Sequence, residues 1–225
     1  MSDTSFSPGL LWWMFLVLFS PLAALNLIRV IYAAAGGPMA YVWFGAGIAV
    51  FIVLKKFFIK GADDSIRVFS HELNHAVVSL MLFKKVHSFH VEPDHGNITH
   101  TPGGRFVTVC ITLAPYHLPF FTFVLLIVRA AMRPEFYWIA DLLTGVTVGF
   151  YTTVFKQQTG EFQTDISRFR HRIFPYWFIC AFVVFNASII IGSLLPDKNI
   201  FLSFADAFIE YWHCISSLFH SLFVG

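Results

Sequence analysis

Apolar runs of about twenty residues, cut by short polar breaks, dominate the chain. Leu10 to Leu27 is apolar apart from Ser20 and Asn26, long enough for a first transmembrane helix, with Pro21 as a point of bending. Gly36-Gly37-Pro38 marks a turn, and Met39 to Leu54 reads as a second span ended by Lys55, Lys56 and Lys60. Gly61 to Ser65 then supplies helix-capping chemistry for a third helix, about Ser65 to Phe83. Phe106 to Ala131 reads as a fourth span, interrupted by Pro115 and Pro119. Such prolines are tolerated where neighbours satisfy the freed carbonyls. Phe136 to Phe155 is the fifth, with Gly145 and Gly149 offering a face for close helix contact, and Ile173 to Leu195 is the sixth.

Two stretches break the pattern. Val86 to Gly104 is polar, and its Pro93-Asp94-His95-Gly96 turn separates two short extended runs, Val86 to Glu92 and Asn97 to Thr101. These predict a small β-hairpin. At the other end, Phe201 to Val224 carries Asp206, Glu210, His213, Ser217 and His220 on one helical stripe, which predicts an amphipathic helix or a seventh span. The expected fold is therefore an all-α polytopic membrane protein with about six transmembrane helices, this C-terminal helix and the hairpin, in a single membrane domain over residues 1–225.

Composition agrees. Hydrophobic residues make up 57% and charged residues 12% of the 225, with a mean hydropathy of +0.69. A net charge of +2 gives no case for nucleic acid as a partner. Cys110, Cys180 and Cys214 are too scattered for a disulfide framework or a zinc knuckle. The first eight residues include Asp3 and no basic residue, so the first run reads as a retained span rather than a signal peptide.

The chemistry centres on His71-Glu72-Leu73-Asn74-His75, a His-Glu-x-x-His pattern inside the third helix. One turn apart, the two imidazoles share a face and can reach one metal ion. Glu72 lies about 100° round the helix, within reach of a water on that metal. Catalytic zinc usually takes three protein ligands, and the third must come from Asp141, Asp165, Glu92 or a hairpin histidine such as His100. With alternating spans, the third and fifth helices leave the same membrane face. The motif then lies roughly 13 Å in and Asp141 roughly 10 Å in, at 1.5 Å per residue. That topology favours Asp141 and puts Asp165, Glu92 and His100 on the opposite face.

A motif helix, a hairpin, a further helix and then a helix bearing one aspartate resembles the site-2 protease family of intramembrane zinc metalloproteases, over residues 65–156. The resemblance implies Zn2+ held by His71, His75 and Asp141, with Glu72 as the catalytic residue. It also implies a membrane-protein substrate met by the hairpin from Val86 to Thr101. The expected function is zinc-dependent cleavage of membrane-embedded proteins. The alternative is a non-catalytic scaffold or assembly protein that keeps the metalloprotease core. The bilayer is the expected setting, in a bacterial inner (plasma) membrane, and an oligomer or a protein complex is compatible with it. A transporter lined by histidines fits less well, because most of the histidines sit in the hairpin or near helix ends. By alternating spans, eight Lys and Arg fall on the hairpin side and seven on the other, so charge sets no orientation. The resemblance implies a cytoplasmic hairpin.

Overall fold

The computed structural model describes residues 7–37, 39–57, 63–93, 95–159 and 163–223; Pro38, Asp94 and most of the Gly61 to Ser65 cap segment lie outside them or lack described side chains. The helices are α1 (Leu10–Ala34), α2 (Met39–Phe57), α3 (Asp63–Met81), α4 (Arg105–His117), α5 (Phe120–Ala131), α6 (Tyr137–Gln158), α7 (Thr164–Ser167), α8 (Ile173–Ser193) and α9 (Ile200–Phe223). Strands β1 (Val86–Val91) and β2 (Gly96–His100) pair antiparallel, as the polar stretch predicts.

Among the described residues, α1, α2, α6 and α8 are long and apolar enough to cross a membrane. A fifth crossing is broken: α4 and α5 meet at 80°. The break falls at Leu118-Pro119, where the proline ring pushes Leu118 into an extended conformation and ends α4. Three carbonyls at this corner find side-chain donors. Tyr151 Oη donates to Tyr116 O at 3.0 Å, Asn186 Nδ2 to His117 O at 2.6 Å, and Asn74 Nδ2 to Leu118 O at 3.1 Å. An open corner in a membrane protein is stable only on such terms. The chain is thus a multi-pass integral membrane protein, with four to five candidate crossings among the described residues. The expected six are not all found, because α3 is too polar to count among them.

Helix directions follow from the contacts. Trp12 meets Phe174 and Phe178, Phe19 meets Phe182 and Phe185, and Asn26 donates to Ser188 Oγ at 2.7 Å, so α1 and α8 run parallel. Trp43 packs on Trp138, Gly47 against Leu142 and Gly145, and Phe51 against Gly149, so α2 and α6 also run parallel. A Cβ on Gly47 or Gly145 would sit 1.9–2.0 Å from a carbonyl oxygen of the partner helix, so this approach requires glycine on both sides.

Alternating spans would have made α2 and α6 antiparallel. Phe106 at the start of α4 stacks on Trp12 at the start of α1, on the face where α2 and α6 end and α8 begins. The segment α3 plus hairpin therefore makes no net crossing. We call this face near and the opposite one far. The stretch between α2 and α6 crosses once, through α4 and α5, where alternation would cross twice.

Candidate metal centre

Four residues apart on α3, His71 and His75 turn their imidazoles inward, and Asp165 of α7 meets them. His71 Nε2 and His75 Nε2 are 3.2 Å apart, and each stands 3.3 Å from Asp165 Oδ2. Tetrahedral ligands about 2.0–2.1 Å from zinc lie about 3.3–3.4 Å from one another, so the triangle has the size a bound cation needs. Among the described residues this is the group of His, Cys, Asp and Glu side chains able to hold a metal ion.

The opposite edge of each ring supports the same reading. His75 Nδ1 lies 2.7 Å from Ile111 O, and His71 Nδ1 lies 3.2 Å from Gln158 Oε1. An oxygen acceptor at Nδ1 places the proton there and leaves the Nε2 lone pair for a metal. Gln158 is itself held at its amide end by Arg67 O, at 3.5 Å. Tyr116 Oη donates to Asp165 Oδ2 at 3.4 Å. Ile166 and Phe169, flanking Asp165, are buried in the cluster of Val109, Leu113 and Phe174, which fixes this short segment against α4 and α8. Replacing Gln158 with leucine should therefore weaken metal affinity about 10–100-fold while leaving all three donors, measurable by competition with a chelating dye.

Glu72 is 7% exposed and lines a cavity of about 360 Å³ together with His71, His75, Asp165 and residues Gly96 to Ile98 of β2. The hairpin tip presses on it: a Cβ at Gly96 would come within 2.4 Å of Glu72 Cγ. A carboxylate, a partly open polar cavity and a three-donor cradle thus share one space, bordered by a strand.

Asp141 is not part of this centre, contrary to the sequence expectation. It is 2% exposed, and Arg129 Nε donates to its Oδ1 at 2.6 Å. Arg129 also donates from Nη1 to Ser193 O at 2.9 Å and covers the Tyr137 ring at 4.3 Å. Asp141 lies near the start of α6, toward the far face, whereas His71 contacts Gln158 at the other end of the same helix. Because α2 and α6 are parallel, the residues level with the motif are those after α6, which brings in Asp165. Glu92 pairs with His90 at 2.9 Å on the exposed hairpin, and His100 lines the cavity without joining the donors. Gln158, Ile111 and Tyr116 gave no sequence signal of their own. The polar Lys156 to Arg172 loop in so apolar a chain was the available pointer to Asp165.

No curated protein and no solved structure matches the chain. A family model does: the one described as Peptidase M50B-like matches residues 43–218, from α2 into α9, and takes in both the motif helix and Asp165. With well over half of its 225 residues inside that match, the chain belongs to the Peptidase M50B-like family, a family of site-2 proteases.

Proposed function

We propose that the protein is an intramembrane zinc metalloprotease that cleaves membrane-embedded protein substrates. The observation that carries the reading is the His71, His75 and Asp165 triangle, with both Nδ1 atoms committed to oxygen acceptors. His71, His75 and Asp165 would hold the ion. A bound zinc ion supplies a water with a pKa lowered to about 7 and polarises the scissile carbonyl. Glu72 accepts the proton of the attacking water and passes it to the leaving amine. The substrate must unwind first, since helical amides are closed by their own hydrogen bonds. Strand β2 borders the cavity and supports holding the unwound segment by strand addition.

Orientation follows from the revised topology. Assigning each described Lys and Arg by its loop puts ten on the near face (Lys55, Lys56, Arg67, Lys84, Lys85, Arg105, Lys156, Arg168, Arg170, Arg172). Four remain on the far face (Arg29, Arg129, Arg133, Lys198). The positive-inside rule makes the near face cytoplasmic, so the metal centre and hairpin work from the cytoplasmic side of an inner (plasma) membrane.

The test is metal removal. Purified protein, incubated with a single-span membrane substrate, is expected to cleave it, stop when a chelator strips the metal, and resume with added zinc. Cleavage that survives chelation defeats the metalloprotease reading. Absence of cleavage in zinc-loaded, folded protein, whatever single-span substrate is offered, favours the scaffold alternative.

A further inference from the structure

A second groove, of about 480 Å³, opens between α7 and the start of α8. One wall is an apolar helical stripe: Ile173, Tyr176, Trp177 and Cys180 fall at i, i+3, i+4 and i+7 of α8. Ile173 is 73% exposed and Cys180 is exposed, so the stripe stays open over roughly 10 Å of helix at 1.5 Å per residue. The Trp177 ring is fixed, packed 5.9 Å from Trp13 and donating from Nε1 to Ser20 Oγ at 2.8 Å. The facing wall is Ile166 and Ser167, the two residues after Asp165. Arg172 closes the near-face end. It is exposed and has no ion-pair partner among the described residues, and no carboxylate is among the described residues that line the groove. Arg170, two residues before it, is exposed as well.

We propose that this groove binds an anionic phospholipid of the near leaflet, and that the bound lipid holds α7, the segment carrying Asp165, against α8. The end of a spanning helix is where lipid headgroups lie, and Trp and Tyr rings mark that level. A phosphodiester suits Arg172, whose fork of donors pairs two oxygens at once. An acyl chain suits the apolar stripe that runs from Arg172 along α8 into the bilayer. A zwitterionic lipid fits less well, because its ammonium group meets arginines at the mouth and finds no carboxylate in the lining. The lipid touches Ile166 and Ser167 on one side and α8 on the other. Occupancy therefore adds contacts to α7, a helix of only four residues. The proposal takes its near face from the fold and stands whether or not the metal centre cleaves a substrate.

The test equilibrates the full-length protein in micelles holding equal amounts of phosphatidylglycerol and phosphatidylcholine, and counts bound lipid by native mass spectrometry. Phosphatidylglycerol is expected to be retained about tenfold over phosphatidylcholine. Arg172→Gln should bring the two lipids level, whereas Arg133→Gln, on the far face, should leave the preference intact. In nanodiscs, the amides of α7 should exchange about tenfold more slowly with phosphatidylglycerol than with phosphatidylcholine, and Arg172→Gln should remove the difference. Glycerol phosphate, which has the anion without the tails, should neither displace the lipid nor slow the exchange. Equal retention of the two lipids, a preference that survives Arg172→Gln or is lost in Arg133→Gln, or exchange that ignores the lipid overturns the proposal. Displacement or slowing by glycerol phosphate alone assigns the groove to a soluble phosphate ester and overturns it as well.

Discussion

Glu72→Gln is expected to abolish cleavage of a membrane substrate while fold and zinc content stay at wild-type levels. Glutamine keeps the size of the side chain, so the tight contact with Gly96 survives. It removes the one property the reaction uses, a carboxylate able to take a proton from water and give it up again. General acid–base groups of this kind contribute about 10²–10⁴-fold, and here one group serves both steps. The comparison is read as product formed per zinc-loaded protein, with helicity checked by circular dichroism. If the variant cleaves at the wild-type rate, Glu72 is not the proton carrier and another group must be sought on the cavity wall.

The second large effect separates two aspartates. Asp165→Ala should lose bound zinc, because two imidazoles alone leave the ion short of a protein ligand. Asp141→Ala should keep the donor set and damage the fold. Arg129, 3% exposed, would then be a charge without its carboxylate, held by Ser193 O and the Tyr137 ring alone. Stranding one member of a buried pair costs about 3–5 kcal/mol. Replacing both Arg129 and Asp141 with apolar residues should recover much of that stability, because the lone buried charge is then gone. Metal analysis and thermal unfolding of the three variants decide the matter. Zinc lost from Asp141→Ala and kept by Asp165→Ala would reverse the assignment.

What the sequence revealed follows the range of the interactions involved. The hairpin, the glycine face of α6 and the motif helix were legible because each depends on residues close in sequence. His71 and His75 need only helical periodicity to come together. The third donor depended on how many times the chain crosses between α2 and α6, and hydropathy alone misjudged that. An apolar segment of the length of α3 looks like a crossing until its polar face is seen against the hairpin and α4. One miscounted crossing inverted the direction of α6 and exchanged Asp141 for Asp165. It also hid the charge asymmetry, since eight against seven over the whole chain becomes ten against four among the described residues once the loops change sides.

The parallel contact of α2 with α6 has a consequence for how the protein is made. Gly47 meets Gly145, roughly a hundred residues later in the chain, and two parallel spans need at least one crossing between them. At a synthesis rate of about 5–20 residues per second, α2 waits about 5–20 s in the bilayer before its partner helix exists. Asp165 emerges later still. The third donor is therefore added only after α2 and α6 have been made, and a nascent chain carries the motif helix without it.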